Sequence, residues 1–226
     1  MLTYDDLLPH ARALTRPGRR AILGIAGAPG SGKTTLAERL VRELNGTGEP
    51  WAAHVPMDGF HLADAELDRL GRRDRKGAPD TFDAAGYAAL LRRLREEADG
   101  DDVVYAPGFE RVLEQPVAGA VPVPPGARLV VTEGNYLLLG TGAWARVRSE
   151  LDAVWFCETD EEERVRRLVA RHEEFGKSPA EAVAWVRGPD RRNADLVAAT
   201  RDRADLVVRD PLGRRDGPGA GVDPAG

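Results

Sequence analysis

Gly27-Ala28-Pro29-Gly30-Ser31-Gly32-Lys33-Thr34 constrains this chain more than any other stretch, because it fits G-x-x-x-x-G-K-[ST] at every fixed position. The run before it, Ala21 to Ala26, is short, apolar and branched like a buried parallel strand, and Thr35 to Leu44 carries Leu36, Leu40 and Leu44 at helical spacing. Strand, loop and helix thus stand in the order a phosphate cradle requires. The glycines let the backbone curl so that several N–H groups face one anion at the positive end of a helix. Lys33 is expected to reach the β- and γ-phosphates of a nucleotide, and the Thr34 hydroxyl to ligate Mg²⁺. The expected phosphate-contacting set runs through Gly27, Ala28, Pro29, Gly30, Ser31, Gly32, Lys33, Thr34 and Thr35. A plain glycine-rich turn would not need that flanking context.

The 226 residues suit one α/β domain, expected over 1–210, followed by a glycine- and proline-rich stretch from 211 to 226 that reads as a mobile tail. With 32 basic and 37 acidic residues the net charge is −5, so no global positive field favours nucleic acid, and no polybasic run suggests a membrane surface. Cys157 is the single cysteine, which excludes an intramolecular disulfide framework. No stretch approaches the roughly 20 apolar residues of a membrane span, and the expected location is the cytoplasm. A homodimer stays open.

Taken in order, residues 3–14 predict a helix that Pro9 must start or bend. Trp51 to Met57 reads as a second strand, leaving Asp58 at its carboxyl end, followed by Gly59, Phe60 and His61. In doubly wound sheets ligands bind at that edge, so Asp58 is placed to face a γ-phosphate; an Asp-Gly turn or helix cap is the plainer alternative. Residues 62–83 lack periodicity and carry Arg69, Arg72, Arg73, Arg75 and Lys76, most of them expected on a solvated face. A helix follows on Tyr87, Leu90, Leu91 and Leu94, then a short strand at Val103 to Tyr105. Pro107 to Pro125 reads as irregular, with Phe109-Glu110-Arg111 either an ordinary loop or a substrate wall.

Arg128 to Gly134 reads as a buried strand ending on Glu133, the arrangement by which a second carboxylate meets the Mg²⁺ shell; a capping carboxylate is the plainer alternative. Leu151 to Cys157 is another strand. Thr159-Asp160-Glu161-Glu162 has capping-box spacing for a helix to about Phe175, on which Arg164, Arg167 and Arg171 share a face. Glu163 stands four residues before Arg167, so an exposed ion pair is the alternative to function there. Ser178-Pro179-Ala180-Glu181 opens a second helix that Gly188-Pro189 should end, with a short helix at 193–200 and a last strand at 204–208.

Four segments resemble the kinases that group uridine kinase, phosphoribulokinase and type I pantothenate kinase. They are Gly27 to Thr34, Asp58-Gly59-Phe60-His61, Lys76-Gly77-Ala78-Pro79-Asp80-Thr81-Phe82-Asp83, and Thr132-Glu133-Gly134-Asn135-Tyr136. The second and third look most like pantothenate kinase and bacterial kinases named for nucleosides or fructose transport. The resemblance implies a P-loop NTPase three-layer α/β/α sandwich with a mainly parallel sheet and a helical lid at about 160–192. It implies ATP and Mg²⁺ as cofactors and a small molecule with an acceptor hydroxyl as partner, a nucleoside, sugar or pantothenate-like alcohol. Asp58 matches the family's base, Glu133 its Mg²⁺-holding acid, and Arg167 and Arg171 its lid arginines; Phe60, His61, Lys76, Phe82, Phe109, Arg111, Glu133 and Tyr136 complete the expected acceptor pocket. Where pantothenate kinases carry Pro-x-Tyr-Ser-His, this chain has Pro107-Gly108-Phe109-Glu110-Arg111. A nucleotide-dependent ATPase or switch, or a binding protein that kept only the cradle, is the rival class.

Overall fold

The apolar run before the glycine-rich loop forms β1 (Ala21–Gly27), every residue of which is buried. The structure, a computed structural model, describes residues 4–98 and 100–211; the expected tail from 212 onward lies outside them. β1 is the middle of a five-stranded sheet. Beside it run β5 (Leu129–Gly134) and β6 (Ala153–Glu158), with β2 (Ala52–Pro56) outside β5 and β7 (Leu206–Arg209) outside β6. Every neighbouring pair is parallel, so each connection must cross over a face and leave helices there.

Alternation along the strands divides the core in two. Leu23, Ile25, Leu129 and Val131 meet Leu7 and Ala11 of α1 (Tyr4–Ala13) and Leu36 and Leu40 of α2 (Lys33–Asn45). On the opposite face Ile22, Val130 and Val154 meet Tyr87 and Leu91 of α4 (Ala84–Glu96), Trp144 and Val147 of α5 (Gly142–Ser149), and Val197 of α8 (Arg191–Ala198). This is the α/β/α sandwich the sequence implied. Pro9 lies inside α1 on its exposed side, where its missing N–H is least costly.

Three local expectations are corrected. The 107–125 stretch is no irregular loop: β3 (Val104–Glu110) and β4 (Gln115–Val123) form an antiparallel ribbon. Its register shifts between Ala106 and Gly108, which is where Pro107 sits, and Pro116 and Pro122 lie on β4, which has only β3 beside it. A bulge and a free edge are the places in a ribbon that tolerate proline. The cap of α6 (Glu161–Glu174) is Asp160, accepting from the Glu162 and Glu163 amides, while the Thr159 hydroxyl donates to the Ser31 carbonyl at 2.9 Å. Finally, Gly188-Pro189 does not stop the chain after α7 (Pro179–Trp185). A π-helical turn, Val186–Asp190, carries it straight into α8, accommodating a proline that has no N–H for the α ladder.

The basic 62–83 stretch is also more ordered than its composition suggested. It contains α3 (Asp64–Arg69) and two 3-10 turns, Arg73–Arg75 and Pro79–Thr81. Arg69 pairs with Glu66, and Arg72 and Arg75 with Asp80, whereas Arg73 and Lys76 converge on Asp64.

Candidate active site

The glycine-rich loop leaves β1 at the carboxyl edge of the sheet and enters α2 through Gly32, whose φ of 86° is left-handed. Gly30 also has positive φ, and a Cβ there would lie 2.7 Å from Leu168 Cγ; one on Gly27 would lie 2.5 Å from Ser31 Oγ. Only glycine allows the loop to close this tightly. No side chain caps the first turn of α2 and no acidic residue lies in it, so its amides stay available. Ser31 Oγ is buried without a partner. Free amides, an orphaned hydroxyl and a lysine at the positive end of a helix fit the phosphates of a nucleotide. Thr35, by contrast, is exposed.

A cleft of about 700 Å³ opens beside this loop. Lys33 and Pro29 line it on the loop side, and Asp58, His61, Lys76, Phe82, Phe109, Arg111 and Arg171 are among the residues lining the remainder. The last seven come from four places far apart in sequence. Asp58 is in the 3-10 turn Met57–Phe60 that ends β2. Gly59 follows because a Cβ there would sit 2.2 Å from the Pro107 carbonyl oxygen, so β3 packs directly on the turn. Phe82 and Phe109 flank the His61 ring at 4.0 and 4.8 Å between centroids. Arg111 Nη2 donates to Asp58 Oδ2 at 3.2 Å from the end of the ribbon.

Burial pushes the Asp58 carboxyl up, but His61, Arg111, Lys33 and Arg171 together outweigh it and hold the group below its ordinary value. It is a carboxylate at neutral pH. Burial lowers Lys33, opposed by Glu133 and Asp58. Glu133 is 3 % exposed at the end of β5, and burial pushes it up to about 7 against the pull of Lys33 and of the Thr34 hydroxyl, which bonds to it. The glycine after it makes room for Met57, whose Sδ would lie 2.4 Å from a Cβ at Gly134. Thr34 and Glu133 therefore stand together beneath the cleft. No group of three or more His, Cys, Asp or Glu suited to a metal exists among the described residues. One hydroxyl and one carboxylate nevertheless fit Mg²⁺, which keeps waters and takes phosphate oxygens rather than a full protein cage.

The two α6 arginines part company. Arg171 lines the cleft, its charge disfavoured by burial and by Arg111 and supported by Asp190, Asp58 and Glu114. Arg167 Nε is bonded to Glu163 Oε1 at 2.7 Å, the i, i+4 pair that the sequence offered as an alternative, while its Nη1 is buried without a partner. Phe60 and Tyr136 also lie outside the cleft lining: Phe60 packs on Tyr87 at 4.9 Å, and the Tyr136 hydroxyl donates to the Gly77 carbonyl. Sequence reasoning missed Asn135, which lines the cleft, and the α6–α8 residues His172, Phe175, Trp185, Asp190 and Asn193. His172 Nε2 and Asp190 Oδ2 are 2.8 Å apart, and Asn193 Nδ2 donates to Gly77 O at 3.3 Å. Only Asn135 stood inside a recognisable motif.

The sequence matches the Phosphoribulokinase / Uridine kinase family over residues 22–210. The chain belongs to that family. It is accordingly an ATP-dependent phosphotransferase, a kinase of small molecules. Protein C227.14 of Schizosaccharomyces pombe, provisionally named a uridine kinase, is 32% identical over 92% of this chain and 88% of its own length. The pantothenate kinase of Clavibacter sepedonicus is 31% identical over 83% of this chain and 66% of its own. A solved structure from Silicibacter sp. TM1040, provisionally named a fructose transport system kinase, superposes with a TM-score of 0.82 at 36% identity, covering 92% of this chain and all of that one. No helix among the described residues is long and apolar enough to cross a membrane.

Proposed function

We propose that this kinase transfers the γ-phosphoryl group of MgATP to a hydroxyl of a small molecule held in the cleft beside Asp58, with Asp58 as the base. The observation that carries this reading is the ionised Asp58 carboxylate sharing one cleft with Lys33 and Arg171. Phosphoryl transfer needs the nucleotide held, its charge neutralised and the attacking oxygen placed in line. The loop amides and Lys33 do the first. Thr34 and Glu133 hold Mg²⁺, which when bound neutralises the phosphate oxygens. Arg171 balances charge on the moving group from the far side of the cleft, and Asp58 orients the hydroxyl and accepts its proton.

Residues 1–210 act as one domain in which α6 to the start of α8 serves as the lid, and Arg167, with one buried unpaired nitrogen, is the reserve arginine of that lid. The aromatic faces of His61, Phe82 and Phe109 suit the body of a nucleoside, sugar or pantothenate-like alcohol, with Lys76 and Arg111 reading its polar groups. Arg111 supplies a guanidinium where pantothenate kinases carry Tyr-Ser-His, and it leaves only part of its donor fork on Asp58. ADP release should be followed over a panel of nucleosides, sugars, pantothenate and related alcohols, with wild type and Asp58→Asn side by side. The reading expects at least one alcohol to raise ADP release above the water background, and Asp58→Asn to abolish that increment. Release that no alcohol stimulates would favour a nucleotide-dependent switch.

A further inference from the structure

His54 is the polar interruption of a face that is otherwise apolar. In β2 it alternates with Ala52 and Pro56 toward α2, and its neighbours across the sheet are Val131 and, at the next inward-facing position, Glu133 opposite Pro56. A histidine with no role there would be costly, because a buried polar nitrogen without a partner forfeits its hydration. His54 Nε2 is such an atom: it is buried and no group among the described residues hydrogen-bonds to it. The nearest acidic oxygen is Glu133 Oε1 at 4.0 Å. That separation is too long for a direct hydrogen bond but leaves the two groups close enough for one intervening atom to reach both.

We infer that His54 is a positioning residue for the metal-holding carboxylate: through one shared water its Nε2 fixes the orientation of Glu133 Oε1, while the Thr34 hydroxyl holds the same carboxylate from the α2 side. The inference rests on the proposed role of Glu133 in holding Mg²⁺. A carboxylate that meets a metal is aimed by its outer partners, and losing one such partner typically costs about 10- to 100-fold in metal affinity. Burial pushes the imidazole down to about 4. Asp58, the only acid opposing that shift, belongs to the acceptor side of the site.

The test measures Mg²⁺ binding apart from turnover. ADP binding is titrated calorimetrically at a series of Mg²⁺ concentrations for wild type, Glu133→Gln, His54→Leu, His54→Gln and His54→Asn. His54→Leu is expected to bind metal-free ADP as wild type does, yet to need about 10-fold more Mg²⁺ to reach the same enhancement. Gln can present a polar atom near Nε2 and should restore most of the Mg²⁺ response; Asn reaches only to the position of Nδ1 and should not. If Leu fails to fold, the Gln and Asn pair decides alone. Equal Mg²⁺ responses in Gln, Asn and wild type would overturn the inference. If Glu133→Gln alters the response and no His54 variant does, His54 is a packing residue only. An unaltered response in Glu133→Gln would instead remove the metal role of Glu133, and this inference with it.

Discussion

The two walls of the cleft, one proposed for the nucleotide and the other for the acceptor, are built by different means. The nucleotide wall is mostly backbone: two glycines with little room around them and a third with left-handed φ, the free amides of α2, and one lysine, all within eight consecutive residues. The acceptor wall is almost wholly side chain. Asp58 and His61 come from the end of β2, Lys76 and Phe82 from the turns before α4, Phe109 and Arg111 from the ribbon, and Arg171, Asp190 and Asn193 from the helical segment after β6. Phosphate is the same in every nucleotide, so a local backbone device suffices to hold it. An acceptor must be told from its competitors, and that takes side chains collected from many elements.

Breaking the nucleotide wall should do the most harm. Lys33→Ala removes the charge the loop aims at the β,γ bridge, and transfer should fall on the order of 10³-fold or more. The fold should stand, since the lysine faces the cleft; single-turnover phosphorylation beside a thermal melt checks both, and transfer near wild type would refute the role. Asp58→Asn tests the other wall. It should cost roughly 10²-fold or more in transfer while MgATP affinity stays within a few-fold, because nucleotide and base sit on opposite sides of the division. Parallel loss of both would mean that the walls are not separable.

Arg171 and Arg167 sharpen the comparison at its border. Arg171→Ala should lower kcat about 10-fold with a smaller effect on nucleotide binding in the absence of acceptor. Arg167→Ala should act less, since its guanidinium is already tied to Glu163; equal effects would show that the pair opens during turnover. The smallest expected effect is on stability. Glu133 is pushed up to about 7 in the folded chain without metal, so between its unfolded value near 4.5 and about 7 the folded state binds more protons than the unfolded one. Stability of metal-free protein should therefore decline as pH rises through that window, by at most about 3.4 kcal/mol. His54, whose value is lowered to about 4, acts in the opposite sense between about 4 and 6.5 and is common to both proteins. Denaturant melts of wild type against Glu133→Gln isolate the carboxylate; curves of the same pH slope would count against its buried state.

The same division decides what was legible in the sequence. The cradle is local, so its residues, its strand and its helix could be read directly, and the Glu133 strand followed from apolar continuity. The ribbon was missed because its prolines resemble loop punctuation, and only the partner strand reveals that they occupy a bulge and a free edge. Arg20 looked like part of a break, yet it is 1 % exposed and donates to the carbonyls of Leu94, Pro124, Pro125 and Ala127. A guanidinium spent on distant carbonyls leaves no periodic trace. Arg171 and Arg167 share a helical face in the sequence, but which of them enters the cleft depends on where α6 sits, and helical spacing cannot supply that.

The seating of α6 on the glycine-rich loop has a mechanical consequence. Arg164 Nη1 donates to Pro29 O at 3.0 Å, Thr159 to Ser31 O, and Leu168 leaves no room for a side chain at Gly30. These contacts make the loop a fulcrum and the helix a lever. Arg171 lies seven residues beyond Arg164, an arm of about 10 Å at 1.5 Å per residue. A tilt of about 10° at the fulcrum carries its base about 2 Å across the cleft, comparable to the difference between a hydrogen bond and an open gap. Phosphates in the loop would lie at the short end of this lever, on the contacts that set where Arg171 stands.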